Sequence, residues 1–585
     1  MHQGTRWLRR VMAAAMLPGC SLGPAALESD YESSESTVES ALQCDSSAQA
    51  ELPLVVACEQ LAASLDYPNT TFISATSVAE AALPQPGQTI PAHCQLVGKM
   101  FERVSPIDGQ TYAIGFEMRL PVNWSRRFFY QANGGLDGAV VPAVGNGSGG
   151  GPLTSALLKG FAVISSDAGH DASQVPFFGI DPQARLDFGY QAVGKLTPMA
   201  KAVLAAAYGE RPAYSYIGGC SNGGRHTMVA ATRYPDEYDG YLVGAPGFNL
   251  PKAAVASIYG AQQYAPLSGG AVIPGGPFAG LPDLSAAFTQ AERQLLSDKV
   301  LERCDALDDV LDGLVQRTED CQSVFNLSSD VPTCAGPRDG TCLSAAQKVA
   351  IGNIFSGAET TGGAPIYSSF PFDTGYAVPD AAFWEFIAPL LLDPGAVGFV
   401  FGTPPANPAT FIPPVFALTG GIDQMHASIF ATTATYTESG QSFMVPPRLD
   451  RPSALSRHGA RMIVYHGVSD PIFSVDDTVR WFESLHGREA QNARLFLVPG
   501  MSHCSNGPAT EQFDLLTPLI RWVEEKKAPK RVIASARGPA NPAGPNADLP
   551  SDWAPDRTRP LCAYPRVASY RGGDIERAES FDCRH

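Results

Sequence analysis

Residues 214–224 read YSYIGGCSNGG and contain the most informative pattern in the chain. The first four residues form a β-rich run, and residues 219–223 (GCSNG) fit the pattern G-x-S-x-G. Glycines on both sides of the serine allow a tight strand-to-helix turn that exposes the serine hydroxyl at the edge of a sheet. Residues 224–234 are amphipathic and supply the helix that this turn requires. Ser221 is therefore predicted to be an exposed nucleophile.

Five further runs share the properties of that first strand, because each is short, apolar and followed by a glycine-rich or polar turn. They are residues 128–131, 161–165, 241–243, 462–465 and 495–498. Continuous rather than alternating apolar runs indicate strands that are buried on both faces. Amphipathic stretches lie between and after them, at residues 196–208, 224–234, 476–486 and 515–525. This alternation predicts a doubly wound α/β sheet with its functional residues at the carboxyl ends of the strands.

The alternation of strands and helices stops near residue 250 and resumes near residue 461. The sequence between is rich in proline, glycine, serine and alanine. We therefore predict that residues 45–249 and 456–585 together form an α/β-hydrolase core, and that residues 250–455 form a large inserted lid domain. That lid would contain its own disulfides, because four cysteines lie close together there. They are Cys304, Cys321, Cys334 and Cys342.

Two later strands end in loops that supply an acid and a base. In an α/β-hydrolase the nucleophile is followed along the chain first by the acid and then by the histidine. Strand 462–465 leads into HGVSD, which places Asp470 in the acid position, and strand 495–498 leads into PGMSHC, which places His503 in the base position. Asp476 and Asp477 fit better as the cap and first turn of the next helix. His466, in the acid's own loop, is interpreted as structural.

These residues predict acyl transfer through a covalent intermediate. His503 accepts the proton of Ser221, Asp470 orients the imidazolium, and the serine attacks an ester carbonyl to form an acyl-enzyme that water hydrolyses. Cys220 precedes the nucleophile and Cys504 follows the base, so a disulfide between them would join the two catalytic loops. The alternative is two unrelated buried thiols.

The oxyanion of such a reaction needs two backbone N–H donors. One is the residue after the nucleophile, Asn222. The other is expected from the glycine-rich loop at residues 132–135, where Gly135 is favoured over Gly134.

The charge and the N-terminus restrict partners and location. The net charge of −17 argues against nucleic acid and against docking on anionic lipid. Residues 1–20 have the basic and apolar layout of a secretory signal peptide, and residues 17–20 (LPGC) resemble a lipobox, so Cys20 is a candidate lipid anchor. Residues 21–50 are predicted to be a flexible spacer. No apolar run reaches the length of a transmembrane helix. We expect an exported protein that is periplasmic, outer-membrane-anchored or extracellular, with disulfides.

An acidic loop between two cysteines predicts a calcium site. It reads CDALDDVLDGLVQ from residue 304, and clustered carboxylates suit a hard cation with oxygen ligands. The alternative is a solvated acidic loop. Zinc is disfavoured, since no histidine lies nearby. The predicted ligands are the side chains of Asp305, Asp308 and Asp312 and the carbonyl groups of Val310 and Leu314.

Together these motifs resemble the tannase and feruloyl esterase family. The likeness extends from Cys58 to Cys583 and includes RFFYQANGG, FGIDPQARLDFGY, GGCSNGGR, RLFLVPGMSHCSNGP and TRPLCAYP. The resemblance implies an α/β-hydrolase core, a lid and a structural Ca²⁺, with Asp309 at a glycine position where a positive φ is tolerated. It leaves Cys20 for lipid and Cys44 free. The implied disulfides are Cys58–Cys94, Cys220–Cys504, Cys304–Cys321, Cys334–Cys342 and Cys562–Cys583.

The substrate prediction depends on the lid, which has no lysine or arginine between Lys348 and Arg448. Without a guanidinium, a substrate carboxylate lacks a bidentate partner. The resemblance implies that Phe401 contacts substrate, although core packing is the alternative. We expect a small neutral aromatic ester, of feruloyl or galloyl type, or the neutral bis(hydroxyethyl) terephthalate.

Two other functions remain open from the sequence. The first is hydrolysis of mono(2-hydroxyethyl) terephthalate, which requires another cation, such as Arg225 or His426, to hold the free carboxylate. The second is a non-catalytic, calcium-stabilised surface binding protein, which the intact set of nucleophile, base and acid argues against.

Overall fold

Nine strands form one mixed sheet in the computed structural model, which describes residues 51–82, 88–147 and 153–585. The order across the sheet is β9-β8-β7-β6-β4-β5-β3-β2-β1. Strands β9 to β5 in this order are parallel, and β5, β3, β2 and β1 pair antiparallel. In chain order the strands are β1 (Thr70–Val78), β2 (His93–Val104), β3 (Thr111–Pro121), β4 (Arg127–Gln131), β5 (Ala162–Ser166), β6 (Tyr214–Cys220), β7 (Gly240–Gly244), β8 (Arg461–Gly467) and β9 (Ala493–Val498).

The six parallel strands, β4 to β9, are the six that the sequence predicts, with ends that differ by at most three residues. Successive side chains on them enter two different apolar clusters. In β4, Phe128 and Tyr130 belong to one cluster and Phe129 to the other, and Val464 and Tyr465 of β8 divide in the same way. Because consecutive side chains of a strand point to opposite faces, these strands are buried on both sides.

The antiparallel strands β1 to β3 are absent from the sequence prediction. In β3 the even-numbered positions from Tyr112 to Leu120 are buried, and three of the four positions between them are partly exposed, which are Ala113, Gly115 and Arg119. This alternation with a period of two is typical of a strand with one face in the core. It is the signal that could have revealed the strand.

Helices cover both faces of the sheet. Leu196, Met199 and Val203 of α3 pack in one cluster, and Leu516 and Leu519 of α17 pack in the other. The chain therefore has the predicted α/β-hydrolase fold. The helices are α1 (Cys58–Ser64), α2 (Pro182–Leu186), α3 (Ala192–Tyr208), α4 (Asn222–Arg233), α5 (Leu250–Tyr264), α6 (Gln290–Cys304), α7 (Thr318–Val324), α8 (Leu327–Asp330), α9 (Ala345–Phe355), α10 (Pro379–Phe386), α11 (Ala388–Gly395), α12 (Pro413–Thr419), α13 (Ile422–Ser428), α14 (Gly440–Met444), α15 (Val475–Glu483), α16 (Gly487–Gln491) and α17 (Leu516–Glu525).

Residues 250–455, called the inserted segment below, contain helices α5 to α14 and contribute no strand to the main sheet. The segment enters the chain between β7 and β8, which are neighbours in the sheet. Its apolar side chains form a third cluster, which also contains Phe178 and Phe188 from outside the segment. The division into a core and a lid domain stays a prediction.

The C-terminal residues form two small antiparallel pairs. Strand β10 (Arg531–Ser535) pairs with β11 (Thr558–Cys562), and β12 (Val567–Tyr570) pairs with β13 (Phe581–Arg584). Every cysteine in the described residues is in a disulfide, and the five pairs are the five that the resemblance implies.

The predicted signal peptide and spacer, with Cys20 and Cys44, lie outside the described residues. Within the described ranges no single helix is long and apolar enough to cross a membrane. Two consecutive helical segments that meet at a bend, Pro379–Phe386 and Ala388–Phe401, are together long and apolar enough to cross a membrane, by length and composition alone.

Candidate active site

Ser221 lies at a sharp turn between β6 and α4. Its backbone has φ 66° and ψ −128°, outside the conformations that most residues adopt. The turn passes very close to the loop after β4, because a Cβ added at Gly219 or Gly223 would lie 2.2 or 2.3 Å from the carbonyl oxygen of Ala132. Only glycine fits at these two positions, which explains the G-x-S-x-G pattern in physical terms.

The predicted base contacts both the serine and the predicted acid. His503 Nε2 lies 2.9 Å from Ser221 Oγ, and His503 Nδ1 lies 2.8 Å from Asp470 Oδ2. Both distances are within hydrogen-bonding range. The serine remains partly exposed, whereas Asp470 is buried. This arrangement can remove the serine proton while an acyl group approaches from solvent.

The carboxylate of Asp470 is held in its ionised form. Its Oδ1 accepts hydrogen bonds from the N–H groups of Ile472 and Phe473, both at 3.0 Å. Burial alone would raise the pKa of Asp470, but the charge of His503 and the hydrogen bonds from His466 and His503 lower it well below its usual value. His466 is fully buried, with hydrogen bonds to Thr478 and the Phe473 carbonyl, and its Nε2 lies 3.3 Å from Asp470 Oδ2. Its structural role stays a prediction. The competing acids Asp476 and Asp477 bond to Ser369 and Asn249 instead.

The cap of α15 differs from the expectation. Ser474 caps this helix by accepting from the N–H of Asp476, so Asp476 and Asp477 both lie in the first turn.

The predicted oxyanion donors are free to bind a ligand. Neither the Gly135 N–H nor the Asn222 N–H donates a hydrogen bond to another described residue. The loop lies beside the nucleophile, since a Cβ added at Gly134 would lie 3.6 Å from that of Ser221. The roles of Gly135 and Asn222 stay predictions.

A buried polar network connects the chain just after this loop to α4. Asn222 Nδ2 donates to Asp137 Oδ1 at 2.6 Å, and the Asn222 amide oxygen accepts from Arg225 Nε at 2.6 Å. His226 Nε2 lies 3.3 Å from Asp137 Oδ2. The side chain of Asn222 therefore faces this network, which leaves its backbone N–H for the predicted oxyanion role. Asp137 was not recognised from the sequence.

The disulfide predicted from the two flanking cysteines is present. Cys220 and Cys504 are 284 residues apart in sequence and join the nucleophile turn to the base loop. Two aromatic rings contact the base edge-on, with centroids 5.4 Å (Trp384) and 5.3 Å (Phe473) from that of His503. Trp384 belongs to the inserted segment, so this segment forms part of the wall around the base.

Comparison with known proteins agrees with this geometry. The family model described as "Tannase and feruloyl esterase" matches residues 94–584. The chain belongs to the tannase and feruloyl esterase family. It is a carboxylic ester hydrolase.

Relatives and solved structures extend the family assignment over most of the chain. Mono(2-hydroxyethyl) terephthalate hydrolase of Piscinibacter sakaiensis is 35% identical over 570 residues, which cover 90% of this chain and 91% of that protein. Feruloyl esterase B of Aspergillus oryzae superposes with a TM-score of 0.70 at 21% identity, covering 90% of this chain and 99% of that one. Tannin acyl hydrolase of Aspergillus niger gives a TM-score of 0.62 at 18% identity, with coverage of 92% and 96%.

The acidic loop predicted to bind calcium is ordered between two disulfide-bonded cysteines. Asp308 is 1% exposed, and neither of its carboxylate oxygens has a hydrogen-bond partner. Burial and the negative charges of Asp312 and Asp305 raise the pKa of Asp308 to about 8. Asp309 has a φ of 75°, as its position in the family pattern implies.

The other predicted ligand oxygens of this loop differ in whether they already accept a hydrogen bond or belong to an ion pair. Asp305 accepts from the backbone of Asp312 and Gly313, and Asp312 pairs with the buried guanidinium of Arg559 in β11. The carbonyls of Val310 and Leu314 accept no backbone hydrogen bond from a described residue. No group of three or more histidine, cysteine or acidic side chains in the described ranges converges on one point as a metal cluster would. The orphaned Asp308 carboxylate and the free carbonyls fit a cation, whereas Asp312 is already neutralised.

Three residues considered for substrate contact have other surroundings. Phe401 has no exposed surface and packs in the core of the inserted segment, which favours the alternative of core packing. Arg225 is also fully buried, and its guanidinium donates to Asn222 and to carbonyl groups, those of Gly189 and Phe188 among them. His426 is partly exposed and packs edge-on against Phe430.

Proposed function

We propose that this protein is a serine esterase that hydrolyses small neutral esters of aromatic acids. The observation that carries the proposal is the continuous chain of hydrogen bonds from Ser221 through His503 to Asp470. In the first step His503 removes the Ser221 proton as the serine oxygen attacks the ester carbonyl. The imidazolium then protonates the leaving alcohol, and a water activated by the same histidine releases the acid.

The oxyanion formed in each step lies next to the N–H groups of Gly135 and Asn222. Neither donor is used within the described residues, so both can stabilise the negative charge without reorganisation. Removal of one such donor typically costs a factor of about 100 to 1,000 in kcat. The buried bond between Asn222 and Asp137 keeps the two donor-bearing segments at a constant separation.

Aromatic acids are favoured because of the surroundings of the base. Trp384 is partly exposed and lies with its ring centroid 5.4 Å from that of His503, so it offers apolar contact to a flat acyl group. The names of the relatives, feruloyl esterase and terephthalate ester hydrolase, point to the same class of acid.

A neutral acyl group is favoured over one that bears a carboxylate. Arg225 is the cation nearest to the nucleophile turn in sequence. It is fully buried, and its guanidinium donates to Asn222 and to the Gly189 carbonyl, so it does not reach a substrate. The inserted segment has no lysine or arginine between Lys348 and Arg448 that could pair with a substrate carboxylate. Hydrolysis of mono(2-hydroxyethyl) terephthalate is the second candidate, because the relative with 35% identity has that name.

A panel of four esters distinguishes the two candidates. Methyl ferulate, methyl gallate, bis(hydroxyethyl) terephthalate and mono(2-hydroxyethyl) terephthalate are compared by kcat/KM with the purified protein. We expect a neutral ester to be the best substrate. A kcat/KM for the mono-ester that is tenfold above all others, about 1.4 kcal/mol of transition-state preference, would instead establish the second candidate.

We also propose that a structural Ca²⁺ binds the acidic loop through Asp308 and Asp305, with the Val310 and Leu314 carbonyls. The two unpartnered oxygens of Asp308 support this, whereas Asp312, a ligand predicted from the sequence, is already paired with Arg559. The ion would stabilise the folded chain and takes no part in the ester chemistry.

Calcium binding is tested by melting the wild type with calcium and after chelation. A ligand at 1,000 times its Kd stabilises the folded state by about 4 kcal/mol, so we expect a melting temperature several degrees lower after chelation. The Asp308→Asn variant should have the same melting temperature with calcium and after chelation. Equal melting temperatures for the wild type would contradict the proposal.

Export is part of the same proposal. Residues 1–20 would direct secretion, and Cys20 is the candidate site for a lipid anchor. Five disulfides support an oxidising compartment. N-terminal sequencing of the mature protein and lipid labelling of the wild type against Cys20→Ala test the signal and the anchor separately.

A further inference from the structure

Asp373 is a buried carboxylate of the inserted segment that contacts both catalytic loops. It is 5% exposed. Its Oδ2 accepts a hydrogen bond from Ser469 Oγ at 2.7 Å and another from the N–H of Gly500 at 3.0 Å. Ser469 precedes the catalytic acid Asp470 directly, and Gly500 lies three residues before the base. One oxygen atom therefore joins the acid loop to the base loop.

The surroundings of this contact leave it little freedom. The N–H of Gly375 donates to Ser469 Oγ at 2.9 Å, and a Cβ added at Gly375 would lie 2.4 Å from the Ser469 Cβ. Farther along the segment, Ser502 Oγ donates to the Asp380 carboxylate, and Ser502 is the residue directly before His503. The inserted segment thus contacts the neighbour of the acid and the neighbour of the base.

We propose that Asp373 is a positioning residue, which holds the loops of Asp470 and His503 at the separation that their 2.8 Å hydrogen bond requires. The inference rests on the proposed serine esterase function. The physical reason is that the two loops follow different strands, β8 and β9, and their separation depends on contacts that bridge them. A misplacement of catalytic groups by about 1 Å can reduce the rate about 100-fold. Asp373 would affect kcat through this geometry and would leave substrate binding largely unchanged.

The test compares variants of Asp373 with a matched control. Asp393 is also a buried acid of the inserted segment whose carboxylate accepts from a serine, Ser257 Oγ at 2.7 Å, but this pair contacts neither catalytic loop. We expect Asp373→Ala to lower kcat at least tenfold while KM changes less than threefold. Asp393→Ala should lower the melting temperature and leave kcat within twofold of wild type.

Two further variants separate geometry from charge and from folding. Asp373→Asn keeps an oxygen that can accept both hydrogen bonds, so its kcat should stay within threefold of wild type. Ser469→Ala should lower kcat as Asp373→Ala does, and the double variant should be little worse than either single one, because both remove the same contact. If Asp373→Ala does not fold, Ser469→Ala decides the question.

The outcomes separate this inference from the proposed function. An Asp373→Ala kcat that falls no further than that of Asp393→Ala, or an unchanged kcat in Ser469→Ala, would overturn the positioning role. So would an Asp373→Asn variant as inactive as Asp373→Ala. A wild-type protein that hydrolyses none of the four panel esters would instead overturn the proposed function.

Discussion

At the scale of single residues, the active site depends on the absence of side chains as much as on their presence. Gly219 and Gly223 flank the nucleophile turn where it touches the loop that bears the predicted oxyanion donor. The serine itself adopts a positive φ that is strained for a residue with a side chain. The strain is tolerated because the strand, the helix and the Cys220–Cys504 disulfide determine the turn from several sides.

Gly223→Ala tests this close approach. The new methyl group would lie 2.3 Å from the Ala132 carbonyl oxygen and must displace the oxyanion loop, so we expect kcat to fall at least 100-fold. Gly260→Ala in α5 is the matched control, because its nearest contact would be 3.9 Å away at Ile354. The control should keep wild-type kcat and gain slightly in stability. Equal kcat values for the two variants would contradict the account of the turn.

At the scale of elements, the catalytic groups come from loops after β6, β8 and β9, and the site depends on connections between those loops. The Cys220–Cys504 disulfide joins the first to the third. The backbone of the acid loop bonds directly to the base loop through the N–H of Ser469 and the carbonyl of Met501, at 3.1 Å. Both connections attach to the base loop, which carries His503, the residue that must contact both other members of the triad.

Replacing both Cys220 and Cys504 by alanine should affect stability and turnover together. The chain-entropy model assigns about 5.6 kcal/mol to a crosslink spanning 284 residues. The same model gives about 2.5 kcal/mol for one spanning 8 residues, Cys334–Cys342. We expect the first double variant to melt well below the second and to lose at least tenfold in kcat. The Cys334→Ala/Cys342→Ala protein should keep its kcat. Unaltered kcat in the first variant would show that the disulfide has no part in aligning the site.

At the scale of the whole molecule, several buried carboxyl groups have raised pKa values. Burial raises the pKa of Asp393, Glu385 and Asp167 to about 7 in each case. The folded chain therefore retains protons that the unfolded chain has released near pH 4. Each such group contributes a term to stability that decreases as pH rises from about 4 to 7, where the folded group ionises.

Asp393→Asn should reverse this loss at one site. The amide keeps the acceptor for Ser257 and cannot ionise, so the variant should exceed wild type in unfolding free energy by about 1 to 4 kcal/mol at pH 8. The difference should shrink steadily towards pH 4.5. Denaturant unfolding at pH 4.5, 6 and 8 measures it. A difference that is constant over this range, or that narrows as pH rises, would rule out the raised pKa.

The parallel strands and the triad were accessible to sequence reasoning because their signals are local. Ser221, Asp470 and His503 each follow a recognisable strand within a few residues. Asp373, Asp380 and Trp384 were missed, since their contacts depend on how the inserted segment packs against loops about 100 residues away. The ion pair of Arg559 with Asp312 was missed for the same reason, because 247 residues separate the partners.

The most direct test of the central claim is to trap the acyl-enzyme. The protein is mixed with an activated aromatic ester and the reaction is quenched in acid. The protein is then digested, and the masses of its peptides are measured by mass spectrometry. The account predicts that the mass of the acyl group appears on the peptide that contains Ser221 and is absent from Ser221→Ala, which should have lost hydrolysis. Continued hydrolysis by Ser221→Ala, or an acyl group on another residue of an active wild-type protein, would contradict it.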